Sequence, residues 1–118
     1  MGARSRRKGK VGERELALLL TSEGFTARRG AQHRGGSDSP DVVCDALPSV
    51  HLEVKRCERL DLYSAIDQAR RDAGDKLPIV AHRRNDCRWL AIIDLLDLLA
   101  ILRQSSLPML VTKQQAAA

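Results

Sequence analysis

The chain has 118 residues, of which 43% are hydrophobic, so it can form one compact domain with a buried core but has no room for a second. Its formal net charge is +5 and its isoelectric point is about 9.6, which favours a polyanionic partner such as nucleic acid, or less often a membrane surface. Cys44, Cys57 and Cys87 have neither close pairing nor metal-ligand spacing, which argues against a disulfide framework and a zinc site.

Neither the N-terminal segment nor the most apolar stretch of the chain indicates a membrane protein. The basic start is not followed by an uninterrupted apolar segment, and the most apolar stretch, Trp89 to Leu102, is too short to cross a bilayer and contains two aspartates. We therefore expect a protein of the reducing cytoplasm, or of the host-cell cytoplasm if a phage encodes it, with no membrane partner.

The first predicted element is a helix from Val11 to Glu23, with Gly24 at the position of a C-terminal cap. Residues 1–10 are predicted to form a basic N-terminal arm of a single domain that spans residues 1–104. From residue 1 to residue 34 there are nine Lys or Arg against three Glu, so the basic end more than accounts for the net charge.

The remaining elements follow from apolar periodicity and from the residues that punctuate it. A polar loop of Gly, Ser and charged residues is predicted for Gly30 to Pro40, and a flexible tail for 105–118. The pattern predicts α/β architecture with a mixed central sheet flanked by helices. The predicted strands are Phe25–Arg29, Asp41–Cys44, Val50–Arg56, Pro78–His82 and Arg88–Ile93, and the later helices are Leu62–Ala73 and one capped by Asp94 that runs to about Arg103.

The strand from Val50 to Arg56 carries the most informative polar residues. Side chains alternate along a strand, so Val50, Leu52 and Val54 are predicted to face the core while Glu53 and Lys55 share the other face. His51 lies on that second face and is interpreted as a surface histidine outside the site.

Asp41 begins the preceding strand, and pairing of the two strands would bring its carboxylate near Glu53. Two carboxylates of this kind suit Mg²⁺, with Mn²⁺ as a substitute, because a hard cation needs only one or two protein carboxylates when a phosphate supplies further oxygens. Lys55 would add a positive charge or orient the attacking water. Glu13 shares the inward face of the first helix and either adds a third carboxylate or stabilises the helix N-terminus.

Pro40-Asp41, eleven intervening residues and Glu53-Val54-Lys55 resemble the signature of PD-(D/E)XK nucleases. Further segments resemble archaeal-type Holliday junction resolvases and their phage relatives over roughly residues 8 to 93. These segments are Lys8-Gly9, Glu13-Arg14-Glu15-Leu16, Gly24-Phe25, Arg29 and Pro40-Asp41-Val42-Val43.

The resemblance implies a restriction-endonuclease-like core and a metal-dependent endodeoxyribonuclease. It implies that Glu13, Asp41 and Glu53 are metal-site acids, that the Val54 carbonyl is a further ligand, and that Lys55 is the catalytic lysine. It also implies phosphate contacts for Arg14 and Arg29, which as isolated charges could equally be solvated surface residues. Gln68 is a further candidate that faces the site.

The remaining DNA contacts are expected from basic residues and from the polar loop, whose mobility would allow it to close on substrate. These candidates are Arg6, Arg7, Lys8, Lys10, Arg34 and Ser37. The apolar residues of the last predicted helix occupy more than one face, which indicates either a homodimer interface or core packing.

The functional prediction is a magnesium-dependent endonuclease that resolves branched DNA, specifically four-way junctions, as a homodimer. Two alternatives stay open. One is a PD-(D/E)XK endonuclease that acts on flaps, single strands or duplex, and the other is a basic DNA-binding module of the same fold without catalytic activity.

Overall fold

The computed structural model describes residues 3–30 and 41–105, and for residues 3–8 only the course of the backbone. The predicted polar loop falls almost entirely on 31–40 and the predicted tail on 106–118, so both lie outside the described residues. In chain order the elements are α1 (Ala3–Ser22), β1 (Ala27–Arg29), β2 (Val42–Cys44), β3 (Val50–Arg56), α2 (Leu62–Ala73), β4 (Leu77–Arg83), β5 (Leu90–Ile92) and α3 (Leu95–Arg103).

Helix α1 begins at Ala3, eight residues before the predicted start at Val11, so most of the predicted basic arm is helical. Apolar periodicity cannot detect this part because its residues are mainly Arg, Lys and Ala, which nevertheless have good helix propensity. The helix ends at Ser22, one residue before the predicted end, and Gly24 occupies the predicted cap position with a φ of +92° that favours glycine. The Phe25 N–H donates to the Leu20 carbonyl at 2.8 Å.

The other two helices have acidic N-caps. The Asp94 carboxylate accepts from the N–H groups of Leu96 and Asp97, as the sequence predicts for α3. Asp61 caps α2 in the same way by accepting from the Ser64 N–H. The ends of α2 and α3 are thus set by local hydrogen bonds that compensate otherwise unpaired backbone groups.

The five strands form one mixed sheet in the order β1-β2-β3-β4-β5. The pairs β1 with β2, β2 with β3, and β4 with β5 are antiparallel, whereas β3 and β4 are parallel over their full lengths. A parallel pair needs a crossover connection, which α2 supplies. The predicted mixed α/β class and the predicted order of elements are confirmed. Three strands are shorter than predicted: β1 lacks Phe25 and Thr26, β2 lacks Asp41, and β5 covers Leu90–Ile92 instead of Arg88–Ile93.

The sheet is covered on both faces. Leu16 and Ala17 of α1 pack against one face in a cluster that includes Leu52 and Val54. On the other face Ala65, Ile66 and Ala69 of α2 pack against Val80 of β4.

Strand β3 is therefore buried on two sides, and the prediction of a single core face was wrong. Glu53 pairs in register with Val80, whose side chain packs against α2, so the polar face of β3 is turned toward that helix. His51 is only 2% exposed, which corrects its interpretation as a surface histidine. The alternation of side chains is correct, but the polar set is enclosed rather than solvated.

Helix α1 lies close to β3 because Gly12 has no side chain. A Cβ atom at this position would lie 2.5 Å from the Cβ of Arg56, whereas a Cβ at Gly9 would meet nothing within 4 Å. Glu15, one turn further on, forms ion pairs with Arg56 and Arg83 and so links α1 to two neighbouring strands. This close approach also sets the position of Glu13.

We expect Gly12→Ala to lower the free energy of unfolding by about 1–3 kcal/mol, since the backbones must separate to admit the methyl group. Gly9→Ala is the matched control on the same helix, and it should be neutral or should stabilise by up to about 1 kcal/mol through helix propensity. Urea denaturation of both variants measures the difference. Equal stability of the two variants would contradict the close contact between α1 and β3.

Candidate active site

Asp41 directly precedes β2 and lies against the middle of β3. Its Oδ2 atom accepts a hydrogen bond from the Val54 N–H at 2.8 Å. The antiparallel register pairs Val42 with Leu52, so Asp41 stands next to the position of Glu53 in the neighbouring strand. The predicted juxtaposition of Asp41 with the Glu53-Val54-Lys55 segment is thus present in the backbone arrangement.

Glu13 enters this region from α1 and is buried, with 8% of its surface exposed. Its Oε1 atom accepts from the Arg29 Nε at 3.0 Å. Burial raises the pKa of Glu13 above its ordinary value, the hydrogen bond from Arg29 opposes this rise, and the negative charge of Asp41 adds to it. Asp41 therefore lies near enough to Glu13 for its negative charge to raise the pKa of Glu13.

Lys55 projects toward α2 and donates from Nζ to Oε1 of Gln68 at 2.8 Å. Gln68 thus contacts Lys55, and its role in the site stays a prediction. The hydrogen bond uses one of the three donors of the ammonium group and leaves the others for additional partners.

Glu53 is 6% exposed and lies in a cluster on the α2 side of β3. Its Oε1 atom is 3.2 Å from Nε2 of His51, and a ligand atom of Asp72 lies within 4.8 Å of both groups. Of the residues that the structure describes, these three form a group of His and acidic side chains compact enough to hold a metal ion, whereas Glu13, Asp41 and Glu53 together do not form such a group. The metal-site roles predicted for the latter three remain predictions.

His51 and Asp72 are functional candidates that the sequence reasoning missed. His51 precedes Glu53 by two residues and so shares its face of β3, and Asp72 follows Gln68 by four residues and so shares its face of α2. Both signals were present in the residue spacing. That spacing identifies His51 and Asp72 as candidates only once it is known that α2 covers this face of the sheet.

The predicted phosphate contacts are distributed along α1 and β1. Lys10 and Arg14 are exposed, and Arg29 keeps part of its side chain exposed beside Glu13. Helix α1 contains Arg6, Arg7 and Lys8, whose side chains lie outside the described part. Arg34 and Ser37 also fall outside the described residues.

The donor chemistry of this region fits a divalent ion. Asp41, Glu53 and Glu13 offer carboxylate oxygens and Val54 offers a backbone carbonyl, which are the hard donors that Mg²⁺ and Mn²⁺ accept. Arg29 places positive charge beside Glu13, and Lys55 is held by Gln68 two residues along β3 from Glu53. Among the described residues, no helix is long and apolar enough to cross a membrane.

A mixed sheet between helices, with Asp41 directly before β2 and Glu53-Val54-Lys55 in β3, is the arrangement of a nuclease of the PD-(D/E)XK type. The family model described as archaeal Holliday junction resolvase (hjc) matches residues 4–97. The chain belongs to this family. It is therefore a structure-specific endonuclease of the Holliday junction resolvase class, which acts on DNA and needs a divalent metal ion.

The chain is also similar to a solved structure of Archaeoglobus fulgidus Hjc, a Holliday junction resolvase from an archaeal hyperthermophile. The two sequences are 23% identical, the match covers 73% of this chain and 72% of that chain, and the TM-score is 0.49. No curated protein sequence matches the chain. The family match confirms the resemblance that was inferred from the motifs.

The proximity of Glu13 and Asp41 can be measured without metal. Asp41→Asn removes a negative charge and should lower the pKa of Glu13 toward its ordinary value, because repulsion between the two acids raises it. Carbon-13 NMR titration of the Glu13 carboxyl measures this shift. Asp45→Asn removes an exposed acid that pairs with Arg28 and is the control expected to leave Glu13 unchanged.

The same shift has a consequence for stability. The pKa of Glu13 is raised in the folded state, so its contribution to stability is fully present below the unfolded pKa and is lost as the pH rises through the folded value. Asp41→Asn should therefore reduce the loss of stability on raising the pH through this range. An unaltered pKa of Glu13 in Asp41→Asn would contradict a shared site.

Proposed function

We propose that Asp41, Glu53 and the Val54 carbonyl bind Mg²⁺, with Glu13 as a third acid, and that this site hydrolyses phosphodiester bonds of four-way DNA junctions. Mn²⁺ should substitute for Mg²⁺. The observation that carries the proposal is the hydrogen bond from the Val54 N–H to Asp41, because it holds the first acid of the motif against the strand that bears the second.

In the proposed reaction a water oxygen forms a bond to phosphorus, the bond from phosphorus to one sugar oxygen breaks, and the leaving oxygen takes up a proton. When bound, the metal supplies Lewis acidity and lowers the pKa of water. Lys55, held by Gln68, places its positive charge beside the phosphate and orients the attacking water.

Arg29 has two roles at the site. It neutralises Glu13 in the free protein, and its partly exposed guanidinium is available to a phosphate at the rim of the site. Lys10 and Arg14, which are exposed on α1, contact the DNA backbone further out. Such contacts set affinity and orientation rather than sequence preference.

The alternative of a DNA-binding module without activity is disfavoured by the same contacts. Such a module would have no need for an Asp41 carboxylate on the Val54 N–H or for a lysine held by Gln68. Both features belong to the segment that would carry catalysis.

We also propose that the protein acts as a homodimer, because two symmetric cuts at a junction require two sites at a fixed distance. Helix α3 has no buried residue, and Leu95, Leu96 and Leu99 are 65%, 74% and 42% exposed. The neighbouring edge strand β5 exposes Leu90 as well, at 63%. An apolar surface of this kind, formed by α3 and β5, supports a subunit interface there.

Asp41→Asn and Glu53→Gln should each reduce cleavage of a labelled four-way junction by more than about 100-fold, because each removes charge that the transition state needs. Lys55→Met should reduce it on the order of 100-fold while metal binding persists. Gel assays give the rates, and the unchanged affinity for junction DNA in calcium is the internal reference. Asp45→Asn is the matched acid-to-amide control, and normal turnover of Asp41→Asn would refute the site.

Leu96→Glu should convert the dimer to a monomer at micromolar concentration, because it places a charge in the proposed interface. Sedimentation equilibrium measures the mass. Leu98 and Leu102 are half-buried against their own chain, so Leu96 gives a cleaner test of the interface. Leu18→Glu changes a similarly exposed leucine on α1 and should leave the dimer intact; a monomeric wild type, or dissociation by Leu18→Glu alone, would rule out the α3 interface.

A further inference from the structure

We infer that His51, Glu53 and Asp72 form a second divalent-cation site, which prefers Mn²⁺ or Zn²⁺ to Mg²⁺. The site lies between β3 and α2. The inference rests on the proposed function in one respect, since Glu53 would serve both sites.

The geometry of the three side chains is close to that of a metal site. Nε2 of His51 and Oε1 of Glu53 are 3.2 Å apart, and the Asp72 ligand atom is within 4.8 Å of both. Two atoms that each lie roughly 2.1 Å from one ion are roughly 3 Å apart when adjacent in its coordination shell. Small rotations of Asp72 would therefore complete a three-ligand set, and water would fill the remaining positions.

The two carboxylates of the cluster favour the binding of a cation. Glu53 and Asp72 bring two carboxylates together in a largely enclosed place, with 8% of the Glu53 side chain exposed. Among the residues that the structure describes, neither acid pairs with a lysine or an arginine, and Glu53 contacts only the His51 imidazole, whereas Glu13, Glu15 and Asp45 each pair with an arginine. Burial of the Glu53 carboxylate beside a second acid is costly, and a divalent ion bound by both acids and by His51 would offset that cost.

The donor types decide which ion is preferred. An imidazole nitrogen suits Zn²⁺ and other transition metals, whereas Mg²⁺ strongly favours oxygen donors. A set of one imidazole and two carboxylates therefore differs from the all-oxygen set proposed around Asp41. Glu53, with two carboxylate oxygens, would be shared by the two proposed sites, and pairs of metal ions are known in nucleases.

Mn²⁺ binding to the full chain, followed by electron paramagnetic resonance in the absence of DNA, tests the inference. Asp72→Asn should bind one Mn²⁺ fewer per chain than the wild type, because the amide removes the charge and weakens the ligand. Asp67→Asn changes an exposed acid of the same helix, which pairs with Arg70, and should bind as the wild type does. Equal Mn²⁺ binding by the wild type and Asp72→Asn would overturn the inference.

A second measurement identifies the histidine. Pulsed electron paramagnetic resonance of the Mn²⁺ complex should show coupling to an imidazole nitrogen, and His51→Gln should abolish this coupling. Because His51 is buried and the variant could lose stability, His82→Gln serves as the control for a different histidine of the sheet. Persistence of the nitrogen coupling in folded His51→Gln, or its absence from the wild type, would also overturn the inference.

The same titration separates this inference from the proposed function. Asp41→Asn should lose Mn²⁺ at the site proposed for catalysis and keep the nitrogen coupling. If Asp41→Asn cleaved junctions normally while Asp72→Asn lost one ion, the proposed function would fail and the second site would stand. The reverse pattern would leave the proposed function intact.

Discussion

The enclosure of β3 between α1 and α2 is the constraint on which the rest of the structure depends. A strand with helices on both faces encloses apolar and polar side chains alike, and His51, Leu52, Glu53 and Val54 are all buried. Leu52 and Val54 meet this condition by packing against α1. The polar residues of β3 meet it through partners, since His51 contacts Glu53 and Lys55 donates to Gln68.

The cost of burying polar groups explains why the site is built where it is. Buried carboxylates and amines are retained in a fold only with hydrogen bonds or opposite charges, and a low local dielectric makes those interactions strong. Asp41 reaches the Val54 N–H at the point where β2 begins, so the same region supplies charge and fixed geometry. These are the conditions that metal-assisted hydrolysis of a phosphodiester requires.

Helix α1 contributes in a different way. Gly12 permits close contact with β3, Glu15 links the helix to Arg56 and Arg83, and Glu13 is thereby buried beside Arg29. The acid that the helix delivers carries a raised pKa, which records the combined effect of burial and of the negative charge on Asp41. Stability of the helix packing and the charge state of the site are therefore coupled.

Much of this arrangement could be predicted from residue patterns. The bounds of β3 and α2 and the Asp94 cap of α3 follow from local signals, such as alternation, helical spacing and capping residues, and they agree with the structure. The burial of His51 and the presence of Asp72 in the cluster could not be predicted in this way. Both depend on which face of the sheet α2 covers, and that is a property of the tertiary packing rather than of any local pattern.

The start of α1 illustrates a second limit. A basic segment has no apolar stripe, so periodicity is silent there and only propensity favours the helix that begins at Ala3. The charge of that segment was nevertheless informative, because it indicated a polyanionic partner before any motif was considered. Membership of the archaeal Holliday junction resolvase family agrees with that indication.

This chain cuts branched DNA with a divalent ion. The most direct measurement is the rate of cleavage of end-labelled four-way junction, flap, single-stranded and linear duplex DNA of equal length, in magnesium and in chelator. We expect paired nicks on opposed strands of the junction, in magnesium and not in chelator, at a rate well above that for linear duplex. Equal rates on junction and duplex would contradict the junction preference, and undiminished cleavage in chelator would contradict the metal site itself.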